Sequence, residues 1–247
     1  MKRITLLGCL LTAFATLCAQ HKEKKDSLQS YGLQEAEVLS TRATETTPIA
    51  YTNIDEKKIR MYNAGVDLPY IVSMTPGAIT TSDAGTGIGY TTLRVRGTDG
   101  TRINVTANGI PVNDAESHTV FWVNLPDFAS SVKDIQIQRG VGTSTNGAGS
   151  FGASMNLRTG SMSLQPYTEL SASAGSFGTH KETLKMGTGL IGEHWTFDAR
   201  LSNIASDGYI ERASSSLKSY YLQAAYYADN TAVRFITFAG DEETYHA

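Results

Sequence analysis

The chain has 247 residues, a formal net charge of −3 and only two cysteines. So slight an acidic balance carries no electrostatic footprint for binding nucleic acid. Both thiols, Cys9 and Cys18, fall in an amino-terminal apolar run, so the rest of the chain has no sulfur for a disulfide, a Cys-ligated zinc or an iron–sulfur cluster.

In that first run, Lys2 and Arg3 precede an almost uncharged stretch from Ile4 to Leu17, and small residues with Gln20 follow. This is the order of an export signal, expected to cover 1–19 with cleavage near Ala19, and it is short for a membrane span. The bulky Leu17 before Cys18 argues against lipid attachment at that cysteine. Residues 20–44 read as a linker, since HKEKKDSLQS has charges of both signs and almost nothing to pack. One extended, mildly apolar island interrupts it, containing Glu35, Ala36, Glu37, Val38, Leu39 and Ser40.

From 45 to 160 the composition is that of a small mixed α/β domain. Asp55 to Asn63 predicts a short helix, with acidic residues first, basic residues later and Gly65 beyond its end. A second helical turn over Leu68 to Met74 stops before Pro76-Gly77. Strands are expected at Ala78–Thr81 and Thr92–Val95. In INVTANGIPVND, Ile103 and Val105 alternate into Asn108-Gly109 and out again through Ile110 and Val112, which predicts a hairpin with a type I′ turn. Ile135 to Arg139 is a further strand, and the Gly/Ser/Thr-rich loop 140–152 leads to another at Ala153–Arg158.

After Thr159 the pattern changes to segments of roughly ten residues, apolar on one side and polar on the other, as barrel strands facing lipid require. Leu170, Ala172 and Ala174 oppose Glu169, Ser171 and Ser173. Trp195, Phe197, Ala199 and Leu201 oppose Thr196, Asp198, Arg200 and Ser202. The segments 183–190, 219–228 and 232–239 continue the pattern, although Ile236 and Phe238 blur the polar side of the last. Tight turns at 192–194 and 229–230 alternate with an expected long polar loop over 203–218. A water-soluble β-sandwich shares this alternation and stays open as an alternative. No later stretch is apolar enough for a spanning helix, so entry into a membrane would need strands of a closed barrel.

TPGA (75–78), LRVRG (93–97), NVTANGIPVND (104–114) and DIQIQRGVGTSTNGAGSFGASMNLRTG (134–160), in that order, resemble TonB-dependent outer-membrane receptors. The wording of Asn113–Leu125 is similar to the receptors of Bacteroidetes-type bacteria. The resemblance implies an α+β plug domain followed by the first antiparallel strands of a transmembrane β-barrel of roughly 22 strands, about five of which are encoded here. Five strands cannot close, so the sequence reads as a truncated gene or a partial record. The resemblance also implies uptake of a scarce solute, a ferric siderophore or a similar small-molecule or metal-chelate substrate, by a monomer seated in outer-membrane lipid. It implies no catalysis and no resident cofactor or metal.

The partner implied is the periplasmic TonB protein, with the island Glu35–Ser40 as the candidate TonB box. An extended peptide suits addition to a partner's sheet edge. Asp83, Tyr90, Ser117, His118, Phe121 and Trp122 match the outward plug loops that meet substrate. Arg96 and Arg139 match arginines that anchor the plug on barrel-wall glutamates. Two tempting motifs point elsewhere. Gly147, Gly149 and Gly152 spell the dinucleotide fingerprint, but an extended segment follows where a helix is needed. Asp114, Ser117 and His118 lack a nucleophile elbow and an oxyanion hole, so a hydrolase is not expected. A secreted β-rich binding or adhesion module is the alternative from a different class, and a nonfunctional receptor fragment is a third.

Overall fold

The computed structural model describes residues 42–142, 146, 149–160, 162–228 and 231–245. The expected signal, most of the linker and the island Glu35–Ser40 lie outside them.

Chain order begins with β1 (Tyr51–Asp55), then α1 (Glu56–Tyr62) and α2 (Leu68–Ile71). Asp55 caps α1 by accepting from the Lys58 N–H at 2.9 Å, and Arg60 closes the helix opposite Glu56. β2 (Ala78–Ser82) and β3 (Thr91–Val95) form a two-stranded ladder. β4 (Ile103–Ala107), β5 (Ile110–Pro111), β6 (Val132–Arg139) and β7 (Ala153–Thr159) join β1 in a sheet ordered β1-β6-β7-β4-β5. Within it β4 and β7 run parallel and the other pairs antiparallel.

The sequence gives no sign of β1. Only Ile54 of its residues is buried, and its role is to hydrogen-bond the edge of β6, with Tyr51 opposite Gln138 and Asp55 opposite Asp134. On β6 both faces are covered. Ile135 and Ile137 enter the core, while Gln136 and Gln138 are buried on the other side. There Gln136 accepts from the Ala43 N–H at 2.7 Å and donates back to its carbonyl at 2.9 Å. Arg42 meanwhile pairs with Asp134.

The core joins Ile59, Ile71 and Val72 from the helical side to Leu93, Val95, Val105, Ile135, Ile137, Met155 and Leu157 from the strands. The hairpin has its expected turn, with Asn108 at φ 50° and Gly109 at φ 82°. Asn108 also ties the turn to β7, accepting from the Thr159 N–H at 3.0 Å and donating to its hydroxyl at 2.9 Å.

The second half is an antiparallel meander of β8 (Pro166–Ala174), β9 (His180–Thr188), β10 (Trp195–Ser206), β11 (Ser215–Ala228) and β12 (Thr231–Thr244). The loop expected over 203–218 shrinks to 207–214, because β10 and β11 run on as paired strands as far as Ser206 opposite Ser215. Polar residues do not end these strands, since the inward face of the meander carries many of them.

The burial of that meander reverses the pattern of a water-soluble sheet. Leu170 and Phe235 are 75% and 65% exposed, whereas Thr183, Arg200 and Gln223 are 1%, 3% and 5% exposed. The polar face lies against the first domain and the apolar face looks outward. Ile236 and Phe238 fit this arrangement as inward residues paired across from Gln223 and Tyr221. Ile236 packs on the first domain's core, and the Phe238 ring lies tilted against Phe128 with ring centroids 5.1 Å apart.

Gly109→Val is expected to destabilise the protein by about 1–2 kcal/mol, since a β-branched residue at positive φ meets a steric penalty that glycine avoids. A lowered thermal midpoint for Gly109→Val, against little change for Gly109→Asn, checks the turn.

Candidate functional site

Two loops of the first domain meet beside β3. Residues 83–90 leave β2 and return to β3, closed at their base by the Asp83 N–H donating to the Tyr90 carbonyl at 3.0 Å. Gly85, Gly87 and Gly89 all sit at positive φ. A side chain at Gly87 would strike the Tyr70 ring, so this bend needs glycine. The second loop carries Thr119, Val120 and Phe121 into a 3-10 turn at Trp122–Asn124. Between the loops lies a cleft of about 300 Å³ that Asp83, Tyr90, Arg94, Asp99, Phe121 and Trp122 help to line.

The structure therefore gathers four of the sequence-predicted loop residues, Asp83, Tyr90, Phe121 and Trp122, around one cavity. Their characters differ: Phe121 is exposed, whereas Trp122 is buried in the core cluster. Ser117 and His118 stand apart, in a turn organised by Asp114. The Ser117 N–H and hydroxyl donate to the Asp114 carboxylate at 2.7 and 2.8 Å, and the His118 N–H donates to the Asp114 carbonyl at 3.0 Å. These bonds, with the Ser117 N–H first, hold the Asp114 carboxyl below its usual range. Its neighbours are thus turn-forming donors, and the serine hydroxyl points at the carboxylate rather than at an imidazole.

Arg139 reaches within its own sheet, donating to the Thr52 hydroxyl and, at 3.4 Å, to the Tyr51 carbonyl. Arg96 sits at φ 52°, its N–H bonded to the Gly77 carbonyl at 2.8 Å. Gly152 serves close approach: an added Cβ would stand 2.9 Å from the Arg102 carbonyl oxygen, and β7 follows directly. No helix start is therefore available for a pyrophosphate.

The residue that sequence reasoning missed is Asp127. It lies between the two 3-10 turns Trp122–Asn124 and Phe128–Ser131, at φ 50°, with its side chain fully buried. One carboxylate oxygen accepts from Lys181 Nζ at 2.7 Å, from the Ser130 hydroxyl at 2.6 Å and from Asn63 Nδ2 at 3.3 Å. The other accepts from the hydroxyls of Thr183, at 3.1 Å, and Ser202, and faces Arg200 Nη1 at 3.4 Å. Arg200 also donates to the Asp127 carbonyl. Burial pushes this carboxyl up, but the charges of Lys181 and Arg200 and the bonds from Lys181 and Ser130 outweigh it, holding the group at about 2. Its one sequence signal was the unexplained charge on the inward face of the strands, which requires a buried anion.

Further contacts tie the two halves together nearby. The Tyr209 N–H donates to the Ala84 carbonyl at 3.0 Å, and Gly85 lies against the Tyr209 ring. Ile88 packs with Ile204 and Leu217. Gly240 leaves room for Pro126, whose ring a Cβ would strike.

A family model, the TonB-dependent receptor plug domain, matches residues 43–154. Such receptors are transporters, not enzymes. Solved structures extend the likeness into the meander. The ferripyoverdine receptor of the outer membrane of Pseudomonas aeruginosa aligns with a TM-score of 0.65 at 15% identity, over 83% of this chain and 27% of that one. The siderophore receptor PirA from Acinetobacter baumannii aligns at 0.62 and 14%, over 78% of this chain and 31% of the other. The copper transporter OprC gives 0.62 and 15%, over 82% and 32%. At these identities the likeness is one of fold: a plug domain followed by five antiparallel strands like the start of a TonB-dependent receptor barrel. The chain spans between 27% and 32% of the length of these three proteins.

Asp127 thus seats the plug on the strands. Its carboxyl is lower in the fold than in the unfolded chain, so its contribution is fully present above about pH 4 and disappears as pH falls from there toward about 2. Asp127→Asn leaves two cations buried without their anion and is expected to cost about 3–5 kcal/mol at neutral pH. Thermal unfolding of wild type and Asp127→Asn at pH 7 and at pH 2–3 checks this: the gap between them should narrow in acid.

Proposed function

We propose that the protein is the plug-bearing part of an outer-membrane receptor that takes up a scarce solute, most simply a ferric siderophore or a similar metal chelate, with energy relayed by TonB. The observation that carries this reading is the reversed burial of the meander. Five strands with apolar faces outward and polar faces inward suit a wall between lipid and a filled lumen. A secreted sandwich would bury the opposite face.

In this reading the signal over 1–19 exports the chain, and the receptor acts as a monomer of the Bacteroidetes type. The cleft between loops 83–90 and 116–122 receives the solute, with Phe121 and Tyr90 as contacts and Asp83 and Arg94 setting charge. The island Glu35–Ser40 is the TonB box, offering an extended edge to the partner's sheet. Arg96 and Arg139 serve as additional plug anchors within the complete receptor.

Val38→Pro removes a backbone donor and fixes φ, so strand addition should fail. In the complete receptor, cell-surface binding of a radiolabelled ferric siderophore should survive while accumulation falls to background. Accumulation at wild-type rate would move the box elsewhere. Phe121→Ala should act at the other step, weakening binding by about tenfold through loss of aromatic contact. Binding isotherms on whole cells, normalised to surface abundance, separate the two effects. Unchanged affinity would place the solute outside the cleft.

A further inference from the structure

We propose that Lys181, Thr183, Arg200 and Ser202 form an oxyanion-binding cradle on the strand wall, which Asp127 fills at rest and which takes an external carboxylate when Asp127 is withdrawn. The four donors belong to the wall alone. Thr183 and Ser202 stand directly opposite one another across the β9–β10 ladder. Lys181 lies two residues along β9 from Thr183, and Arg200 two residues along β10 from Ser202, so period-two alternation puts all four on the inward face. A ladder of paired strands fixes their spacing independently of the plug.

The group they hold is a single carboxylate, and each donor reaches it: Lys181 on one oxygen, with Thr183, Ser202 and Arg200 on the other. Two cations and two hydroxyls converging on two oxygens match what a free carboxylate requires. The cradle also retains capacity. Arg200 Nε is buried without a hydrogen-bond partner among the described residues. Asp127 enters from a loop between short 3-10 turns, held on the plug side by Ser130 and Asn63. The plug therefore supplies a tethered anion to a site that the wall already provides. Once the plug shifts, the two cations face the lumen and demand a replacement anion. A carboxylate-bearing solute would meet that demand on its way past; this use of the cradle rests on the uptake reading, whereas the cradle itself does not.

The test replaces the tethered carboxylate with a free one. Asp127 sits at positive φ, so Asp127→Gly removes the side chain without straining the backbone. In the purified complete receptor, Asp127→Gly should lower the thermal midpoint. Sodium formate should restore it saturably, and sodium chloride at matched ionic strength should not. Wild type, its cradle filled, should show no formate effect. Asp127→Gly/Arg200→Gln should lose the formate response. Should Asp127→Gly fail to assemble, formate in the growth medium should raise its surface abundance by the same contact. Equal action of formate and chloride, recovery undiminished in the double variant, or surface abundance indifferent to formate overturns the proposal. Formate rescue in a receptor that accumulates no solute would discard the uptake reading and leave the cradle standing.

Discussion

A sheet that turns its apolar face outward and its polar face inward can persist only if something inside satisfies the polar face. The first domain does this for the meander, and the decisive contact is Asp127 among Lys181, Thr183, Arg200 and Ser202. Without that carboxylate the wall would carry two cations with no counter-charge in a dehydrated seam. The surrounding contacts follow from the docking it fixes. Phe128 packs against the Phe238 ring, and Tyr221 joins the core beside it. Gly240 is bare so that Pro126 can approach, and Ile88 finds Ile204 and Leu217.

This arrangement divides the plug–wall seam by chemistry. Around Asp127 it is charged and buried. Toward the loop 83–90 it becomes a main-chain hydrogen bond to Tyr209 and close packing at glycine, contacts that can slide. The cleft lies beyond that loop, so an occupant touching Asp83 and Tyr90 would press on the base of the element that also leans on the wall. Local rearrangement there need not disturb the ion-paired corner.

Much of the fold was legible in the sequence because its signals are local. The turn at Asn108-Gly109, the acidic start of the helix near Asp55 and the alternation of the last five strands each rest on neighbours in the chain. The loop residues Asp83, Tyr90, Phe121 and Trp122 were singled out by the family resemblance, and the structure gathers them around one cavity. What escaped depended on distant partners. β1 buries one side chain and exists by pairing with β6, which no window of sequence displays. Asp127 carries no signal among its neighbours in the chain, since its meaning lies in residues of β9 and β10 far along it. The reach of β10 and β11 past Asn203 was missed because polar residues usually signal loops, whereas on a lumen-facing side they are compatible with strand.

The edge position of β1 has a mechanical consequence. Its first residue, Tyr51, pairs with Gln138 near the end of β6, and the register then runs back to Asp55 opposite Asp134. A tension applied from the amino-terminal side therefore meets the ladder one rung at a time, in peeling geometry, rather than loading all its rungs together in shear. Once Arg42 parts from Asp134 and Ala43 from Gln136, lifting β1 would uncover the amide row of Gln136 and Gln138, polar groups that water can solvate as they appear. The aliphatic side of β6, with Ile135 and Ile137, would stay packed. The plug sheet is thus built like a zipper with a polar lining, easy to start from one end and progressively harder to continue.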